Sequence, residues 1–114
     1  MKAPCELMNK YVFPAVRGIV VTYMYKDLKM NQLNISKLLG ISQSSVSRYV
    51  NSQRGVKAKQ IMELPGFKEK LEELVKQLLN REIDGDSLLC EICKFMRENN
   101  YIEVIFPERK VSAR

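Results

Sequence analysis

Histidine is absent from the 114 residues, and its absence excludes more chemistry than any residue present supplies. Without an imidazole there is no Ser-His-Asp or Cys-His pair, no His-bound zinc and no ordinary side chain that titrates near neutral pH. Long apolar runs are missing as well. The strongest, Pro14 to Met24, is interrupted by Arg17 and falls well short of the ~20 residues that a membrane span requires. Met1 to Lys10 lacks the continuous apolar stretch of a secretory signal, so the cytoplasm is the expected location. There the three cysteines read as thiols or metal ligands before they read as a disulfide framework.

A third absence is local. From Leu28 to Met62 the chain carries six basic residues (Lys29, Lys37, Arg48, Arg54, Lys57, Lys59) and no acidic one. Of 19 Lys plus Arg and 13 Asp plus Glu in the whole chain, the remainder is thus 13 of each sign, and the net charge of +6 belongs to this one window. A charge run by itself is often no more than a solvated face, but a basic stretch in a chain of pI 9.3 also fits a polyanionic partner.

What is present is helical. At 46% hydrophobic and 28% charged the chain has the composition of a soluble folded domain, and its length fits one compact unit rather than two cores. No repeat or low-complexity segment appears. The spacing predicts an all-α fold of five to six helices. Val12 to Leu28 forms a long amphipathic first helix with Pro14 in its first turn. Gln32 to Leu39 forms a short second helix ended by Gly40, and Gln43 to Ser52 a third, capped by Ser42. A short fourth covers Lys57 to Leu64. A strongly amphipathic fifth runs from Phe67 until Asp84-Gly85 stops it, and a sixth, capped by Asp86, spans Ser87 to Asn99. Tyr101 to Phe106, apolar and partly β-branched, reads as a short C-terminal strand or a contact with a second chain. Residues 1–66 then form one region, 67–106 a second within the same compact domain, and 107–114 a frayed tail.

The segment from Gln32 to Tyr49 has the spacing of a helix-turn-helix. Ile35 and Leu39 fasten the first helix, Ser36 is small enough for the crossing, Gly40 permits the sharp turn and Ile41 plugs it from below. Val46 and Tyr49 anchor the second helix and leave Gln43, Ser44, Ser47, Arg48 and Asn51 on the opposite face, with the first of these at the end that reaches base edges in such motifs. Gln can bond bidentately to adenine and Arg to guanine in the major groove of double-stranded DNA. Gln32, Ser42, Arg54, Lys57 and Lys59 flank that face as candidate phosphate contacts, which fix register without reading sequence.

With these landmarks in place, the chain resembles archaeal predicted transcriptional regulators of the phage-repressor-like helix-turn-helix superfamily, the XRE-like group. The resemblance rests on Pro4-Cys5-Glu6, on the Tyr-Val-x-Pro-Ala-x-Arg stretch from Tyr11 to Arg17, on the Gln32-to-Tyr49 motif, on Arg54-Gly55 and on the late Cys90-x-x-Cys93. It covers about Pro4 to Arg97 and implies a DNA-binding regulator of transcription. Ser36 stands where Ala is more usual. Some relatives carry an additional ligand-binding domain, which this sequence does not include.

Cys90 and Cys93 lie at i and i+3, one turn apart on one helix face. Joined by Cys5 they would give three thiolates, too few for a zinc site made of four cysteines but compatible with an iron–sulfur cluster that has an exogenous fourth ligand. Zinc completed by a carboxylate such as Glu6 or Glu91, or by a second chain, a disulfide from Cys5, and plain buried thiols stand beside that reading. One recognition helix reads only a few base pairs, so a homodimer joined through the last helices and tail is expected. Rival readings are the targeting subunit of a recombinase or transposase, a Cys90-x-x-Cys93 thiol–disulfide oxidoreductase, and an adaptor whose basic helices meet an acidic protein. The residues favour a DNA-binding regulator over an enzyme.

Overall fold

The computed structural model describes residues 8–51 and 56–106. Among them are seven α-helices and no strand: α1 (Phe13–Thr22), α2 (Gln32–Leu39), α3 (Gln43–Asn51), α4 (Val56–Met62), α5 (Phe67–Leu79), α6 (Gly85–Glu98) and α7 (Tyr101–Ile105). The all-α expectation therefore holds, with one helix more than the periodicity suggested.

The first rod is longer than its apolar pattern indicated. Met8–Val12 and Tyr23–Asp27, wound more widely with i→i+5 bonding, extend α1 at both ends without leaving helical backbone angles. Pro14 falls in the first turn of α1, where its missing N–H costs nothing. Val12, Val16, Ile19, Val20, Val21 and Met24 are fully buried, so the rod is the central post of the core. Leu28, the last residue of the first helix as the spacing predicts it, lies beyond the rod and is exposed. Burial raises the pKa of the half-buried Tyr23 phenol, and the carboxylates of Glu72 and Asp27 raise it further.

Against this post pack α3 and α4, while α5 and α6 pack on each other and α6 reaches α2 and α7. The α5–α6 layer is joined by Phe67, Leu71, Leu74, Val75 and Leu78 from one helix and Leu88, Leu89, Ile92 and Met96 from the other. Each such side chain taken fully out of water stabilises the fold by ~1.5–3 kcal/mol before entropy is subtracted. The buried stripe of each of these two helices is thus spent on the other.

Three local expectations change. The C-terminal segment is a helix and no strand. Asn100, at φ +59°, redirects the chain after α6, and the Phe106 amide donates to the Ile102 carbonyl at 2.8 Å. Ile102, Ile105 and Phe106 are buried at i, i+3, i+4 spacing whereas Val104 is 58% exposed, the reverse of a strand's alternation. The fifth helix ends at Leu79, with Arg81 at φ +62°, and Asp84-Gly85 is no stop signal. Asp84 instead caps α6, accepting from the Ser87 amide at 2.8 Å, so the cap is Asp84 and Asp86 lies in the first turn. Gly85 is needed for a close approach: a Cβ there would stand 2.5 Å from the Leu39 carbonyl oxygen.

Candidate nucleic-acid interface

The α2–α3 pair is built by local sequence chemistry. Asn31 caps α2, its side-chain oxygen accepting from the Asn34 amide at 2.8 Å. Gly40 closes the helix in the left-handed region at φ +71°, where its amide donates to the Ser36 carbonyl. A side chain at that angle would be strained although nothing crowds the site. Two residues later Ser42 accepts from the Ser45 amide at 3.1 Å and starts α3. The turn between the helices is therefore only three residues, Gly40 to Ser42.

The inward face is small and specific. Ile35 is fully buried, and Ser36 is buried with its hydroxyl returned to the Leu33 carbonyl at 2.7 Å. That internal bond satisfies a polar group that the crossing would otherwise strand. On α3, Val46 is fully buried, and Tyr49, Val50 and Ile41 pack partly buried against the core.

The outward face carries the residues expected to read bases. Gln43, Ser44, Arg48 and Asn51 are exposed and Ser47 is half-buried. Two short hydrogen-bonded groups lie on it: the Arg48 guanidinium donates to the Ser45 hydroxyl at 3.0 Å, which accepts from Ser42 at 2.9 Å, and separately the Asn51 amide donates to Ser47 at 3.3 Å. Ser45, not singled out in the sequence, is thus the residue that holds the Arg48 head on the helix. Its i+3 spacing to both Ser42 and Arg48 is the signal that could have shown this.

The flanking candidates divide. Gln32 is half-buried at the first position of α2, Ser42 is exposed but engaged in capping, and Lys59 is exposed on α4. Arg54 lies outside the described residues. Lys57 is occupied within the protein: its ammonium donates to the Ile105 carbonyl at 2.7 Å and sits 4.4 Å from the centre of the Phe106 ring. A cation held by a carbonyl and an aromatic face is a structural tie between α4 and the C-terminal segment. Composition could not show this, because the partner is a backbone atom 48 positions away.

The thiols stand apart from this surface. Cys90 is exposed and Cys93 half-buried on α6, both free, and Cys5 lies outside the described residues. Among the described residues no three His, Cys, Asp or Glu side chains converge, so this part of the chain supplies no complete donor set for zinc or an iron–sulfur cluster. Nor is any described helix long and apolar enough to cross a membrane. Comparison with protein-family models, curated proteins and solved structures returns no match for this chain.

Proposed function

We propose that the protein is a sequence-specific double-stranded-DNA-binding regulator of transcription, a binding protein with no catalytic role, acting in the cytoplasm as a homodimer. The observation that carries the reading is the two-sidedness of α3. Val46 is sealed in the core while Gln43, Ser44, Arg48 and Asn51 face solvent, inside a 35-residue window that contains no acidic residue. A solvated surface helix has no need of that exclusion, whereas a helix that enters a groove lined by phosphates does.

In this reading the outward face of α3 meets base edges, with Gln43 at its N-terminus suited to adenine and Arg48 in its last turn to guanine. Gln32, Ser42 and Lys59 meet phosphates, joined by Arg54, and Lys57 keeps its internal role. Duplex binding then depends steeply on salt, each neutralised phosphate adding about 0.9 to the slope of log affinity against log salt. Exposed Tyr11, whose ring centre lies 5.7 Å from that of buried Phe106, and exposed Val104 on α7 supply apolar surface for pairing two copies.

The test is selection of bound fragments from random duplexes, followed by the same selection with Gln43→Ala and Arg48→Ala. Each variant is expected to lose discrimination of about 1–3 kcal/mol at its matched base and to keep the wild-type melting temperature. An unchanged base preference in both would reject this face as the reader, and absence of any duplex retention at low salt would reject the function.

A further inference from the structure

A cleft of about 370 Å³ opens behind α3, between α1, the α2–α3 turn and the start of α6. Its volume falls within the ~300–1,000 Å³ of small-molecule pockets. Arg17 reaches it from α1 and Asp86 from α6, while Ser45 and Tyr49 contribute from α3. Its apolar wall includes Ile41, Leu88 and Leu89.

Two features define what would fit. Arg17 is half-buried on the central rod, yet it makes no hydrogen bond or ion pair among the described residues. A partly buried guanidinium that opens into a cleft and has no anionic partner is free to take a bound carboxylate there. Asp86 shares the same cleft and carries the opposite charge, but the two are not joined by an ion pair. A separated positive and negative group over an apolar wall is complementary to a molecule that has both charges and a hydrocarbon side chain. A simple carboxylic acid would forgo the contact with Asp86, and a simple amine would forgo the one with Arg17.

We propose that this cleft binds a free α-amino acid with an apolar side chain, its carboxylate on Arg17, its ammonium on Asp86 and its side chain against Ile41, Leu88 and Leu89. The planar guanidinium fork suits a carboxylate bidentately. Because Ser45 and Tyr49 come from the helix whose outer face is read above as the DNA contact, occupancy of the cleft sets how α3 is seated. This regulatory half rests on the proposed function; the binding half does not.

Calorimetric titration of the full chain with L-phenylalanine and with L-leucine tests the site. Each is set against 3-phenylpropionate and phenethylamine, which carry only one of the two charges. At least one amino acid is expected to bind, with the single-charge analogues weaker by about tenfold or more, since each makes only one of the two charge contacts. Arg17→Met should cost a similar factor, as should Asp86→Asn, which changes an exposed residue rather than a buried one. Thermal unfolding of each variant separates lost binding from lost structure. No binding by either amino acid at about 10 mM, equal binding of the acid alone, or full binding by a folded Asp86→Asn would overturn the proposal. Duplex affinity measured with and without the bound amino acid keeps the two readings apart. Amino-acid binding without duplex retention leaves the site standing and removes the DNA reading, and duplex retention without amino-acid binding does the opposite.

Discussion

The α2–α3 pair and the α5–α6 pair are both amphipathic helix pairs, but they are built to different ends. Helix α3 buries one residue, Val46, and α2 buries Ile35 and Ser36, whereas α5 buries five side chains and α6 four. A pair that offers a polar face to a partner has little hydrocarbon left with which to hold itself together. It is held from outside instead, by α1 behind α3 and by the start of α6 against the end of α2. Rigidity at the presenting surface is borrowed from the layer that presents nothing.

The sharpest way to break this contrast is to remove bulk from one side and polarity from the other. Phe67→Ala, at a fully buried position of α5, is expected to cost about 3–5 kcal/mol in denaturant unfolding, while Ser47→Ala on α3 should change stability by less than about 0.5 kcal/mol. Equal losses would mean that α3 is part of the load-sharing core. Next in size is Gly85→Ala, whose Cβ would meet the Leu39 carbonyl at 2.5 Å. Forcing α6 off the end of α2 should cost on the order of 1–3 kcal/mol and, uniquely among core variants, weaken the proposed duplex binding in the protein that remains folded.

Smaller again is Lys57→Met, which deletes the tie to Ile105 and Phe106. The expected loss is about 1 kcal/mol of stability, with the salt slope of duplex binding unchanged. A reduced slope would return Lys57 to the phosphate contacts. The smallest effect is electrostatic. The Ser87 backbone amide, hydrogen-bonded to Asp84, lowers that carboxyl's pKa, and Ser87's side chain lowers it further. A depressed folded pKa stabilises fully above the ordinary carboxylate value near ~4 and is lost as pH falls through the folded value. The stability advantage of the wild type over Asp84→Asn should therefore shrink on acidification, as followed by the denaturation midpoint between neutral pH and acid.

Elements whose stabilising groups lie close in sequence were legible. The bounds of α2, its glycine end, the Ser42 cap and the burial of Val46 all depend on spacings of a few residues, and each appears in the fold as the spacing implies. Misreadings arose where a residue type has two uses. Gly85 resembles a helix stop, but its bare Cα serves an interhelical approach that only the packed structure reveals. Tyr101 to Phe106 is β-branched enough to suggest a strand, and tertiary burial of Ile102 and Ile105 overrides that preference. At the candidate interface, the sequence indicated which side of α3 faces out, but not that Ser45 steadies Arg48 or that Lys57 is already engaged.

That last engagement bears on the order in which the molecule can be completed. The seat beside Lys57 lies on the fourth of the seven described helices, yet the groups that fill it, Ile105 and Phe106, are translated nearly fifty residues later. During synthesis the ammonium must wait in water, and the nascent domain carries an unclosed seam beside α4 until the last turn emerges and docks. Closure of this seam is in that respect a late, long-range event, fastened by one cation that joins the middle of the chain to a segment made well after it.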